Sequence, residues 1–192
     1  MKYWLDDDDR IVEVDENWLP SAIDNGAPEL NPAHVCGRPL DSFISDTTTR
    51  LLWRSLVRRA RLGEAAMVII RSDAPDRRRL VLLRLSRDGG RVLVRSDTIT
   101  DELRAPVALL ESGRSRAGDA VQICSWCAKV LLPSKRWVEI EVAVEELGLR
   151  NRLQSPPVKH CVCESCVVKN APAMQAASIQ SPGIRTRAFA RV

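Results

Sequence analysis

Aromatic side chains are scarce in this chain of 192 residues: one Tyr, two Phe and five Trp, 4% in all. Histidine is scarcer, represented by His34 and His160 alone. Two imidazoles leave most acid–base schemes without parts. There is no P-loop, no paired-glycine dinucleotide motif and no Gly-x-Ser-x-Gly elbow. The chain therefore reads as a non-enzyme. No stretch approaches the ~20 apolar residues of a membrane span, and membrane contact is not expected. The N-terminus, Met1-Lys-Tyr-Trp4 followed by Asp6 to Asp9, lacks the apolar run of a signal peptide. These absences predict a cytoplasmic protein with reduced thiols. In that setting clustered cysteines are metal ligands or redox groups more often than disulfides.

Apolar residues make up 45% of the chain, enough for a core of ordinary size. The length suits one generous domain or a medium domain plus a small one. There are 29 basic and 25 acidic residues, a formal charge of +4. That excess is mild beside the concentrated charge of a dedicated nucleic-acid binder, so a nucleic-acid partner is not expected.

Arg10 to Asp15 largely alternates apolar and polar, which suits a half-buried strand. Asp15 could cap a short helix carrying Trp18, Leu19 and Ile23 inward, ended by Asn25-Gly26. Pro28, Pro32 and Pro39 mark an irregular stretch, and Asp41 to Ser45 offers about one helical turn. The clearest helix follows the N-cap pair Asp46/Thr47. Leu52, Trp53, Leu56, Val57 and Ala60 form its apolar face, with Arg50, Arg54, Arg58 and Arg61 largely opposite and Gly63 as the stop. Strands are predicted over Ala66–Ser72, Arg79–Ser86 and Arg91–Ser96, joined by the turns Asp73-Ala-Pro-Asp76 and Asp88-Gly-Gly90.

Pro106 to Leu110 is a short apolar segment, and the Ser-, Gly- and Arg-rich residues after it read as a linker over 113–119. Beyond it come a knuckle, a hairpin of Lys129–Pro133 and Arg136–Ile140, and a helix over Val138–Leu149. Pro156-Pro157 then leads into a second knuckle. From Ala171 onward no period is sustained, and residues 169–192 read as a disordered tail.

The knuckles are Cys124-Ser-Trp-Cys127 and Cys163-Glu-Ser-Cys166. Each sets two thiols on one tight turn, and two such turns supply the four soft ligands of a closed tetrahedral zinc site. The predicted ligands are Cys124, Cys127, Cys163 and Cys166, and the predicted cofactor is structural zinc. A module of about 50 residues cannot bury a large core and would rely on the metal to fold. A redox dithiol and an iron–sulfur site are the alternatives. No thioredoxin-like βαβ context surrounds either pair. His160 is open to three readings: a partner hydrogen-bonded to a thiolate or carbonyl, a substitute ligand, or a surface residue. Cys161 is an extra thiol, either packed or the most plausible target of oxidation.

The first 110 or so residues resemble a PAS sensor domain. The resemblance rests on Asp9-Arg-Ile-Val-Glu-Val-Asp-Glu-Asn-Trp18, on Cys36-Gly-Arg-Pro-Leu-Asp-Ser-Phe-Ile44 and on the hairpins through Asp88-Gly-Gly90. It rests also on the order of elements: a strand, short helices, a longer helix, three antiparallel strands. Residues 120–168 resemble the Cys-rich module that follows sensor segments in some bacterial signalling proteins. They carry the first Cys pair, Trp137-Val-Glu-Ile140, and His160-Cys-Val-Cys-Glu-Ser-Cys166. Cys161 stands where that pattern has Gly, and Glu164 where it has Pro.

The resemblance implies an α+β fold. A PAS-like antiparallel sheet with helices on one face (1–112) is followed by a small zinc-stabilised treble-clef-like or ribbon-like module (120–168). It implies a cavity between helices and sheet, with Trp18, Cys36, Trp53, Leu56 and Val57 as inward candidates. It also implies a homodimer and a protein partner in a signalling pathway. The ligand of the cavity is not named by the sequence. His34 lies in an irregular stretch unsuited to haem, and no flavin-photosensor motif is present. Two other functions stay open. One is a nucleic-acid-associated regulator presenting Lys129, Lys135, Arg136, Arg150 and Arg152 to phosphates; the other is a thiol redox sensor that ejects zinc.

Overall fold

The computed structural model describes residues 1–111, 113–150 and 152–175. Strand β1 (Lys2–Leu5) opens the chain and turns through the aspartate run into β2 (Ile11–Val14). Asp6 makes that turn, its carboxylate accepting from the main-chain N–H groups of Asp8 and Arg10 at 3.0 and 2.9 Å. Helices α1 (Trp18–Asp24), α2 (Pro32–Val35) and α3 (Thr47–Arg61) follow, with a 3-10 turn over Leu40–Phe43. Then come β3 (Ala66–Arg71), β4 (Arg77–Asp88) and β5 (Arg91–Leu103). The five strands form one antiparallel sheet in the order β2-β1-β5-β4-β3.

Local chemistry explains the elements. Asp46 caps α3 by accepting the Thr49 N–H at 2.6 Å. Leu62 closes the helix and Gly63 follows at φ +83°, a left-handed geometry that glycine reaches without a Cβ penalty. Leu52, Leu56, Val57 and Ala60 are buried, as the periodicity predicts. They join the inward residues of the sheet, Tyr3, Leu5, Val68, Val81, Leu83, Leu85, Val92 and Val94, in one core. Part of the opposite, arginine-bearing face is engaged: Arg54 pairs with Asp41, and Arg61 with Asp9 at 2.6 Å.

The second layer is a mixed sheet of β6 (Val121–Cys124), β7 (Val130–Leu131), β8 (Trp137–Val138) and β9 (Val158–Cys161), in the order β8-β7-β6-β9. β9 lies parallel to β6, with Cys161 opposite Cys124. Helices α4 (Ile140–Glu146) and α5 (Glu164–Gln175) complete it. Ile123, Val130, Leu132, Ile140, Ala143 and Leu149 form its core together with Val107 and Leu109.

Several expectations are corrected. β1 was not foreseen, because its four residues run straight into the acidic turn. β4 and β5 are longer than predicted, reaching Arg77 and Leu103. α1 exposes Leu19 and Ile23 instead of burying them, and only Trp18 is drawn inward, its Nε1–H donating to the Leu30 carbonyl at 2.7 Å. Val107–Leu110 packs in the second core, and Arg116 of the expected linker is tied to it by donating to the carbonyls of Leu109, Glu111 and Pro156. Residues 169–175 of the expected tail are the second half of α5. The remainder, 176–192, lies outside the described residues. No helix among the described residues is long and apolar enough to cross a membrane.

Candidate metal centre

The first knuckle hangs from the end of β6. The Cys124 N–H donates to the Lys129 carbonyl at 2.8 Å, and the Ala128 N–H to the Cys124 carbonyl at 2.9 Å. The turn closes only because Ala128 takes a left-handed conformation, φ +57°. Ser125 N–H reaches the Cys161 carbonyl at 2.8 Å, which fixes this knuckle to the end of β9. The second knuckle is the start of α5. Cys163 immediately precedes the helix, Cys166 sits in its first turn, and the Val167 N–H donates to the Cys163 carbonyl at 3.0 Å. The Cys163 N–H points at Cys124 Sγ, 3.3 Å away.

All four predicted thiols converge. The Sγ atoms of Cys124, Cys127, Cys163 and Cys166 lie within 4.8 Å of one another, and Cys127 Sγ is 3.7 Å from Cys163 Sγ. A tetrahedral ion with metal–sulfur bonds of ~2.3 Å sets its sulfurs ~3.8 Å apart. The cluster therefore fits a four-coordinate metal ion. Cys124, Cys163 and Cys166 are buried and Cys127 is half-buried. A tetrahedral ion held by all four would have no coordination position left for a reacting water.

The thiols shift one another's titration. Cys124 is held down to about 4, first by the Cys127 thiol that hydrogen-bonds to it, against burial, then by the main-chain N–H groups of Cys163, Trp126 and Cys127. Donating that hydrogen bond, with burial added, pushes Cys127 far above the usual thiol range. Burial, then the charge on Cys124, pushes Cys166 up to about 12. Four thiols this close cannot ionise together without a positive charge among them, and a dication would hold all four as thiolates.

His160 and Cys161 do not join the cluster. His160 is exposed on β9. Cys161 lies within donor reach of Gln122 Oε1 at 3.6 Å and of the Ile123 carbonyl at 3.8 Å, long contacts even for sulfur. Burial, then the charges on Cys124 and Asp46, raises its pKa to about 11, so it is a protonated thiol at neutral pH.

The other candidates are placed differently. Leu56 and Val57 are core, and Trp18, Cys36 and Trp53 pack against it. His34 sets its Nε2 2.6 Å from an Arg38 guanidinium nitrogen. Of the five cations offered to phosphates, Arg136 binds Glu146 with contacts of 2.9 and 3.0 Å, Arg150 pairs with Glu145, and Lys129 stands 4.0 Å from Glu139.

The sequence reading missed an ion-paired group between the two sheets. Asp73, its side chain 2% exposed, accepts from Arg71 Nε at 2.8 Å and from Arg104 Nη1 at 3.0 Å. Arg71 also reaches Glu139 at 3.1 Å, Arg104 reaches Glu141 at 2.9 Å, and Arg78 reaches Glu141 at 3.0 Å. The one signal available was Glu139-Ile-Glu141, acids at both sides of a buried apolar residue. The chain matches no protein-family model and no curated protein in sequence comparison.

Proposed function

We propose that this chain is a non-enzymatic regulatory protein. Its first sheet is a PAS-like sensing or interaction domain, and its second layer is a treble-clef-like module held by structural zinc on Cys124, Cys127, Cys163 and Cys166. The carrying observation is the set of four thiols within 4.8 Å of one another, three of them in, and Cys127 packed against, the same buried cluster as Leu52, Leu56 and Val57 of α3. Bound zinc would act as a fourfold thiolate cross-link. The chain's own residues do the rest: β6 and β9 present one knuckle, α5 presents the other, and α5 packs on α3. The element order, with helices between β2 and a three-stranded antiparallel run, supports the PAS-like reading. A ligand or partner protein would bias the first domain between two states, and the second layer would carry the difference to a partner surface. A homodimer in the cytoplasm is part of the reading.

The ion pairs of Arg136 and Arg150 weigh against a phosphate-binding role. The protonated state of Cys161 weighs against it as the trigger of a redox sensor.

The test is elemental analysis of the purified chain with an absorbance spectrum, followed by hydrogen exchange. About one zinc per chain and no visible colour are expected. No zinc, with four titratable thiols, refutes the metal reading. Visible absorbance would assign a haem, flavin or iron–sulfur group instead. Hydrogen exchange with and without candidate ligands should then change in α3 or α5; a screen that moves neither refutes the relay.

A further inference from the structure

The ion-paired group at the head of α4 meets the first knuckle at Arg71, and at Glu139, whose carboxylate stands 4.0 Å from Lys129. Its main-chain N–H, at the end of the edge strand β3, donates to the Trp126 carbonyl at 2.9 Å. Trp126 lies between Cys124 and Cys127, inside the first knuckle, and is buried. The Arg71 guanidinium meanwhile holds Asp73 on its own sheet and Glu139 at the head of α4. Arg104 repeats the pattern beside it, with Nη1 on Asp73 and Glu141 and Nη2 on the Ala74 carbonyl at 2.6 Å. Glu139 and Glu141 flank Ile140, which is fully buried in the second core. Two guanidiniums, 12% and 9% exposed, therefore bridge a sealed carboxylate of the β3–β4 connection to two carboxylates at the head of α4. Such a bridge fixes one docking position, since displacing either side strands buried charge.

We infer that Arg71, Asp73, Arg104, Glu139 and Glu141 are positioning residues for the four-cysteine centre, so that metal occupancy and docking of the second layer on β3 and α3 are coupled. The inference rests on the metal reading above. The knuckles reach the first sheet by two routes: Trp126 through the Arg71 amide, and Cys163 with Cys166 through α5, which lies on α3. Gathering the thiols holds both routes together. Coupling is reciprocal, so a docked second layer must bind metal more tightly than an undocked one. Loss of metal would free α5 and the first knuckle and uncover the α3 face. Metal occupancy thus becomes the input that decides whether this face is covered.

The test is a titration of the full chain with Co2+, read by thiolate-to-metal absorption, and with Zn2+ in competition with a chromophoric chelator. It compares wild type with the Glu139→Gln/Glu141→Gln double variant. These carboxylates touch no cysteine. The expected result is about tenfold weaker affinity, inside the usual range for coupled sites, with an unchanged Co2+ spectrum. Glu146→Gln, which cuts an ion pair inside the second layer, should leave affinity unaltered. Hydrogen exchange of wild type should show the Arg71 amide and α3 exchanging faster after chelation. Equal affinities within about twofold overturn the coupling while leaving the zinc reading intact. Failure of wild type to bind either ion overturns both. Should the double variant not fold, an Arg71 amide indifferent to chelation overturns the coupling alone.

Discussion

Replacing Trp126 by Ala separates packing from ligation at the metal centre. Trp126 is 5% exposed and belongs to the cluster of buried side chains that includes Leu52, Leu56 and the thiols of Cys124, Cys163 and Cys166. It carries no metal-binding atom, and its main-chain carbonyl, which accepts from Arg71, survives the substitution. The loss is therefore that of a buried aromatic side chain plus the void it leaves, about 3–5 kcal/mol. In a chain of this length each kcal/mol moves the Tm by about 2–4 °C, so the midpoint should fall by about 6–20 °C. The assay is thermal unfolding by far-UV circular dichroism with zinc present, alongside zinc stoichiometry. One zinc per chain should remain at low temperature. A fall below ~2 °C with zinc retained would mean that the knuckle is not packed into the first core, and the account of how the two layers join would be wrong.

Three further outcomes follow from the same geometry. Burial alone would raise the Glu141 carboxyl, but its own main-chain N–H and the Arg104 and Arg78 guanidiniums outweigh it and hold it below its ordinary 4.5. A depressed folded pKa adds stability above the unfolded value that is lost as pH falls through the folded one. Acid titration of stability below about pH 4.5 should therefore be shallower in Glu141→Gln than in wild type, and identical slopes would refute the contribution. At Ala128 the left-handed backbone tolerates Gly but not a β-branched side chain. Ala128→Val should lower the urea midpoint by the equivalent of at least ~1–2 kcal/mol while Ala128→Gly does not; equal midpoints would contradict the turn. Cys161→Ser should leave zinc stoichiometry unchanged whereas Cys163→Ser abolishes tight binding, measured by elemental analysis after dialysis.

Much of the local structure was legible because it depends on short-range chemistry. The cap at Asp46, the 3.6-residue period of Leu52, Leu56, Val57 and Ala60, and the stop at Gly63 specify α3 without reference to anything else. Gly89, with φ +60°, closes the β4–β5 hairpin in the two-residue loop that Asp88-Gly-Gly90 announces. α1 misled for a physical reason: Trp18, Leu19 and Ile23 look like one apolar face, but the helix packs on the core through Trp18, which meets Tyr3, and Leu19 and Ile23 remain in solvent. α5 was invisible because its apolar residues are not gathered on one face, and its place is set by Cys163, Cys166 and α3 rather than by its own pattern.

The sequence by itself determined the four thiols and their pairing on two knuckles, since two-residue spacing forces each pair onto one turn. It determined α3 and the hairpin strands as well. Only the tertiary structure decided that β9 runs parallel to β6 and brings the second knuckle to the first, because parallel pairing joins segments 37 positions apart with no local signature. Only the tertiary structure decided that Val107 and Leu109 serve the second core, and that Arg71 and Arg104 are sealed between the β3–β4 connection and α4. Burial of a charge depends on which carboxylates the fold carries to it, and no spacing along the chain records that.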